Sequence, residues 1–293
     1  MKDYHQYTFD GGKELSLEAV PHGAKAAGLD KGDKAELIAR TEKNLAKLAE
    51  LQDKLYADGR EGVLIVLQAM DAAGKDSTIK HVMGAVNPQG VDVVSFKQPC
   101  KEELAHDYLW RAARVLPERG KMAIFNRSYY EDVLVVKVHQ MQKGYRMAPR
   151  VIEDKDLFKK RYRQIRHFEE FLYENSYRVV KIFLNVSKDK QKERFLERID
   201  DQAKNWKFSS SDLAERAHWD EYQKAYEDAI NATAAKNAPW YVVPADQKWY
   251  ARYLISQIVV DTLEDIDPQY PALPAEEQQE LAQCKQQLLA EDS

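Results

Sequence analysis

GVLIVLQAMDAAGKDSTIK, residues Gly62 to Lys80, is the stretch around which the rest of the chain is arranged. Val63 to Leu67, with Ala69 close behind, form an apolar run without alternation; neither face is offered to water, so the run reads as a buried strand. It stops at a turn of small residues, Ala72-Ala73-Gly74, and a helical pattern begins at Lys75. Strand, small-residue loop, lysine and helix are the layout of a phosphate-binding P-loop. A helix N-terminus presents unpaired N–H groups and partial positive charge, and small residues let the backbone close on phosphate oxygens. Lys75 adds a mobile charge that can follow a phosphoryl group in motion. The match to G-x-x-x-x-G-K-[ST] is incomplete: Ala69 stands at the first glycine, and Asp76 follows Lys75 where a serine or threonine normally holds Mg²⁺. A carboxylate inside the loop, Asp71, suits phosphate only with a cation between them. It reads as a metal ligand or as the group that receives an acceptor's proton; the plainer alternative is a strand-to-helix turn capped by Asp71.

Outward from this centre, strands and helices alternate. Before it, Leu37, Ile38, Leu45, Leu48, Leu51 and Leu55 recur at helical spacing between Lys34 and Tyr56, behind a polar lead-in (1–32) with a short strand near Tyr7–Phe9. After it, the loop's helix runs to about Val86, and VDVVSF forms a second strand beyond the turn Asn87-Pro88-Gln89-Gly90. The pattern then predicts a helix over Lys101–Leu116, a third buried strand at Met122–Asn126 and a long charged helix over Glu153–Glu174. RVVKIFLNVS makes a fourth strand and Trp240–Val243 a fifth, with helices at Lys188–Ile199, Ser211–Ala235 and Trp249–Leu263. Such alternation points to an α/β fold, a mainly parallel five-stranded sheet covered on both faces. Pro268, Pro271 and Pro274 precede a polar helix. The expected organisation is an N-terminal extension and amphipathic helix (1–59), a core (60–265) and a peripheral C-terminal helical tail (266–293).

Composition removes several classes. At 293 residues, 31% charged and 44% apolar, the chain is that of a globular protein with one large core. A net charge of −4 argues against a generic nucleic-acid binder, so an anionic substrate needs a local cluster of Lys and Arg. No apolar run is long enough to cross a membrane, and MKDYHQYTFDGGKE carries no signal region, so the expected location is cytoplasmic. Cys100 and Cys284 are too few for a disulfide framework, and the seven histidines show no metal-binding spacing.

Two further constellations carry chemistry. The third strand ends at Asn126, where P-loop proteins commonly place an acidic metal ligand, and Arg127-Ser128-Tyr129-Tyr130-Glu131-Asp132 comes next. Glu131 and Asp132 would restore the missing charge one turn later. Arg127 is placed for bidentate phosphate contact, or for pairing with Glu131. Beyond Lys190, Arg194 and Arg198 share a helix face and are followed by Lys204, Trp206, Lys207 and Asp212. This is either a solvated face or an Arg-rich lid (about 194–219) of the kind that closes over the P-loop in nucleotide kinases.

With AMDAAGKDSTIK, FNRSYYED and KNWKFSSSD in this order and spacing, the chain resembles the polyphosphate kinase 2 family over nearly all of residues 34–270. The alanine at position 69 and the absent Ser/Thr are themselves family features. The resemblance implies a P-loop kinase-like three-layer α/β/α fold related to thymidylate kinases, with a helical lid. It implies transfer of the terminal phosphoryl group of inorganic polyphosphate to a nucleotide, with Mg²⁺ (or Mn²⁺), by a homodimer or homotetramer. By the match, Asp71 and Lys75 are the loop's metal or base and phosphate residues, within a phosphate cradle of Ala72, Ala73, Gly74, Asp76 and Ser77. Arg127 holds phosphate, Lys80 faces the polyphosphate channel, and Arg194, Arg198, Lys207 and Asp212 belong to the lid, with Asn126 beside the nucleotide. Asn126 followed by Tyr-Glu-Asp is most similar to the third class, which phosphorylates both AMP and ADP; Asp71 and Glu131 are then the metal-ligand pair and Asp132 a further catalytic carboxylate. The competing expectations are an ATP-dependent nucleoside monophosphate kinase and a nucleotide-binding module without turnover.

Overall fold

The computed structural model describes residues 4–291. Its strands are β1 (Thr8–Phe9), β2 (Gly62–Ala69), β3 (Val91–Ser95), β4 (Met122–Asn126), β5 (Tyr177–Asn185) and β6 (Trp240–Pro244). Its α-helices are α1 (Lys31–Asp58), α2 (Lys75–Val82), α3 (Trp110–Ala113), α4 (Val135–Val138), α5 (Pro149–Ile152), α6 (Leu157–Glu174), α7 (Lys188–Asp200), α8 (Ser210–Ala217), α9 (Trp219–Thr233), α10 (Lys248–Ile266) and α11 (Ala275–Glu291). The strands form one six-stranded sheet in the order β1-β6-β5-β2-β4-β3, parallel except for β1. All eight residues of β2 are buried, as the unbroken apolar run requires. The chain leaves β2 to form β3, returns to place β4 beside β2, then places β5 on the other flank. The carboxyl end of β2 therefore lies where the strand order reverses, the place at which open α/β sheets bind ligands.

The expected five parallel strands are present, and the short strand expected near Tyr7–Phe9 joins them, correcting the sheet to six strands. Thr8 and Phe9 pair antiparallel with Tyr241 and Trp240, so the N-terminal residues close one edge of the sheet instead of standing apart. Tyr4, Tyr7, Phe9, Leu15 and Leu17 are buried there. Helix α1 is longer than its apolar spacing predicts because its ends are chemically marked. Asp30 and Asp33 form a reciprocal capping box, and Gly59 supplies the left-handed C-cap at φ 67°. The helix expected over Lys101–Leu116 is broken: Asp107 accepts the N–H groups of Leu109 and Trp110, which starts a separate short helix, α3. The Ser211–Ala235 prediction divides at His218 into α8 and α9, and α6 starts at Leu157 after Asp154 caps Asp156. Helices α1, α2 and α10 pack together, and α6 and α9 pack with β5 and the turn after β4. Every described residue of α11 is exposed. Among the described residues no helix is long and apolar enough to cross a membrane.

Candidate active site

The loop after β2 is shaped by two residues in left-handed conformation, Ala72 at φ 59° and Gly74 at φ 109°, the latter capping α2. Only glycine adopts the second value without strain. Lys75 folds back over the loop, and its Nζ donates to the Ala69 carbonyl at 3.1 Å. Burial pushes the Lys75 pKa down, against the pull of Asp71 and with a further push from Arg127. A lysine so placed is poorly solvated, so a neighbour that brings negative charge favours its charged form.

Arg194 departs from its expected place in the lid. It is 5% exposed, and its two terminal nitrogens donate to the carbonyls of Ala72 and Ala73 (3.1 and 2.7 Å) and of Ala245 and Asp246 (2.7 and 3.0 Å). One guanidinium thus ties the loop to the turn after β6. Gln191, one turn earlier on α7, donates to the Asp71 carbonyl at 2.9 Å and accepts from Arg216 at 2.7 Å. The first turns of α7 are therefore a brace under the loop, and Arg194 borders the cleft as part of that brace.

At the end of β4, Asn126 donates to Asp76 Oδ1 at 3.0 Å, so the acid standing at the usual Ser/Thr position is held from the neighbouring strand. Arg127 adopts φ 61° and sends its guanidinium to Asp71 at 2.8 Å, with Glu131 4.0 Å away. Both expected metal-ligand carboxylates thus flank one cation. Burial raises the Glu131 pKa, opposed by Arg127 and Lys75. Asp132 is a correction. The segment Tyr129–Val133 is a 3-10 turn, in which successive residues point about 120° apart, and Asp132 faces away from the loop. It lies 3.4 Å from Arg161, burial lifts its pKa to about 6, and it lines a separate cavity of ≈ 230 Å³.

The main cleft, ≈ 740 Å³, opens over the carboxyl ends of β2, β3 and β4. Asp71 to Ser77 (Ala73 excepted), Asn126 and Arg127 line it on the loop side; Arg198, Lys204, Trp206, Lys207 and Asp212, from the end of α7 to the start of α8, line it as well. Lys207 Nζ reaches to 3.9 Å from Asp76, joining the segment between α7 and α8 to the loop, while Asp212 also caps α8 by accepting the Ser209 N–H at 3.1 Å. Lys80 is not among the lining residues: five positions past Lys75 on α2, it is carried around to the exposed side. Lys97 and Lys248 do line the cleft, and sequence reasoning misses them. Each lies just past the end of a strand, β3 or β6, which is the signal that points to them. Eight Lys and Arg against four Asp and Glu line the cleft of a chain whose overall charge is −4. The cationic character is local, as an anionic substrate demands.

Among the described residues no three or more His, Cys, Asp or Glu gather as a metal cage. Asp71 and Glu131 on either side of Arg127 still fit Mg²⁺, which keeps several waters and takes one or two carboxylates together with phosphate oxygens. A parallel sheet with a P-loop and a cationic cleft is common to many kinases, and kinship narrows the choice. The model of the family described as Polyphosphate kinase 2 matches residues 31–271. The chain belongs to that family. It is 50% identical over 244 residues to the ADP-polyphosphate phosphotransferase of Rhodopseudomonas palustris, covering 83% of this chain and 84% of that one. It is 46% identical over 263 residues to the AMP/ADP-polyphosphate phosphotransferase of Meiothermus ruber, covering 90% and 86%. The crystal structure of polyphosphate kinase 2 from Arthrobacter aurescens TC1 superposes with a TM-score of 0.83 at 41% identity, over 92% of this chain and 93% of that one.

Proposed function

We infer that this chain transfers the terminal phosphoryl group of inorganic polyphosphate to AMP and ADP, giving ADP and ATP, in a reaction reversible in principle. The observation that carries the reading is the cleft itself, whose cations outnumber what a single triphosphate tail needs and extend from Lys97 past Lys75 and Arg127 to Arg198, Lys204 and Lys248. The acceptor phosphate meets Arg127 beside Asp71, and the donor chain end meets Lys75 and the N–H groups opening α2. Transfer is direct and in line, because the loose transition state asks for positioning and charge neutralisation instead of covalent chemistry. Lys75, Arg127 and Arg198 take up the charge that spreads over the transferred group, and Asp71 receives the acceptor's proton or shares in holding the metal. Asp71 and Glu131 would hold Mg²⁺, or Mn²⁺, which would supply positive charge to neutralise phosphate oxygens. The smaller cavity beside Asp132, walled by Tyr108, Tyr145 and Met147, suits the acceptor's base. The protein is read as a cytoplasmic homodimer or homotetramer.

The test is a time course with purified protein, AMP, Mg²⁺ and long-chain polyphosphate, resolved by ion-exchange chromatography. ADP should appear first and ATP after it, with no other phosphoryl donor present. Turnover with ATP as sole donor would make the protein a nucleoside monophosphate kinase, and binding without product would make it a nucleotide-binding module. ADP that accumulates without becoming ATP would remove the second acceptor.

A further inference from the structure

On the side of the Arg127–Glu131 turn opposite the cleft lies a sealed polar cluster. Glu169 of α6 and Lys181 of β5, 1% and 0% exposed, form an ion pair at 2.6 Å. Lys181 also donates to the Thr233 carbonyl at 2.8 Å and to the Tyr130 hydroxyl at 3.3 Å. The other oxygen of Glu169 accepts the hydroxyls of Tyr129 (2.9 Å) and Tyr130 (2.8 Å). A buried ion pair is weak evidence of stabilisation, because apolar side chains of the same volume often serve as well. What this one holds is a turn. Tyr129 and Tyr130 stand between Arg127 and Glu131, and Ser128 is fixed in turn, accepting from Gln68 at 3.1 Å and from the Tyr130 N–H at 3.1 Å. Arg127 at φ 61° is not kept there by its own preference; its N–H is held by the Leu67 carbonyl at 3.1 Å, and the tied residues after it hold the other side.

We propose that Glu169, neutralised by Lys181, is a positioning residue: its oxygen grips two phenols and so fixes the turn that aims Arg127 into the cleft and keeps Glu131 beside it. The proposal rests on the role given to Arg127 under Proposed function. Two double variants of the full chain separate its parts. Glu169→Gln with Lys181→Met removes both charges and keeps an acceptor oxygen for the tyrosines; Glu169→Leu with Lys181→Met removes the oxygen as well. Both are assayed far below their own thermal midpoints. The Gln/Met protein should keep kcat within about threefold of wild type. The Leu/Met protein should lose kcat by about tenfold or more, since a misplacement near 1 Å can cost a hundredfold, with the KM for polyphosphate unchanged. If the Leu/Met protein does not fold, Tyr129→Phe with Tyr130→Phe cuts the two tethers to Glu169, together with the Tyr130 contacts to Thr233 and Lys181, and should show the same loss in kcat alone. Equal kcat in the Gln/Met and Leu/Met proteins, or wild-type kcat in the phenylalanine variant, overturns the proposal. Each variant is compared on whichever phosphoryl transfer the wild type performs, so a wrong donor assignment and a wrong positioning role give different results.

Discussion

Replacing Arg127 by glycine separates what this residue contributes to the fold from what it contributes to chemistry. At φ 61° a side-chain-bearing residue is strained by about 1 kcal/mol, which glycine relieves. Against that stand about 0.5–1 kcal/mol for the greater freedom of glycine in the unfolded chain. The Asp71 pair is lost as well; with the Arg127 side chain 42% exposed, it contributes about 0–1 kcal/mol. The terms nearly cancel, so the thermal midpoint of Arg127→Gly should lie within about 4 °C of wild type. Chemistry has no such compensation. Loss of a cation that meets the charge developing in phosphoryl transfer costs about 10³-fold or more in kcat, roughly 4 kcal/mol of barrier. The assay is ATP formation from ADP and polyphosphate, alongside a thermal melt of the same preparation. Arg127→Lys serves as the charge-retaining control and should recover part of the rate, since a single ammonium cannot reproduce the guanidinium fork. The assignment is refuted by an Arg127→Gly protein with kcat within tenfold of wild type. A midpoint lowered by more than about 10 °C would instead show that the backbone arithmetic is wrong.

Three other outcomes are expected. Glu131→Ala should slow AMP phosphorylation more than ADP phosphorylation, because the shorter acceptor depends more on a carboxylate reaching toward its phosphate; equal losses in separate initial-rate assays would contradict this. Asp132, ordinarily near 3.8, holds its proton up to about 6, so its contribution to stability is present below 3.8 and is lost as pH rises through 6. That contribution is at most about 3 kcal/mol, so Asp132→Asn, neutral throughout, should gain in melting temperature relative to wild type above about pH 7 and not near pH 4. Arg194→Met should melt well below wild type because four carbonyls lose charged donors, whereas Arg198→Ala should melt like wild type yet show lower kcat and weaker, more salt-sensitive polyphosphate binding. Reversal of these two phenotypes would exchange the roles of brace and lid.

Arg194 and Arg198 mark the boundary between what is legible in the chain and what is not. Their i,i+4 spacing shows that they share a helix face, yet not that the first turns of α7 run beneath the loop, so that of two residues bordering the cleft one is buried as a brace while the other is only half-buried. The P-loop is legible because its chemistry is consecutive: an apolar strand, small residues, a lysine and a helix start all lie within Gly62–Lys80. Arg127 and Glu131 are legible for the same reason, four residues apart behind one strand. Asp132, adjacent in sequence, is not, because a 3-10 turn sends it away from its neighbour.

Local order along the chain thus determines the α/β class, the loop, the arginine and the family. Tertiary structure alone decides the rest: the edge pairing of β1, the placement of Lys97 and Lys248 in the cleft, the turning away of Lys80, and the closing of Glu169 and Lys181 on two tyrosines of a distant turn. The physical reason is that strand and helix periods are short-range properties written in neighbouring residues. Which strand ends converge, and which face of a helix meets them, depends on how whole elements exclude water together.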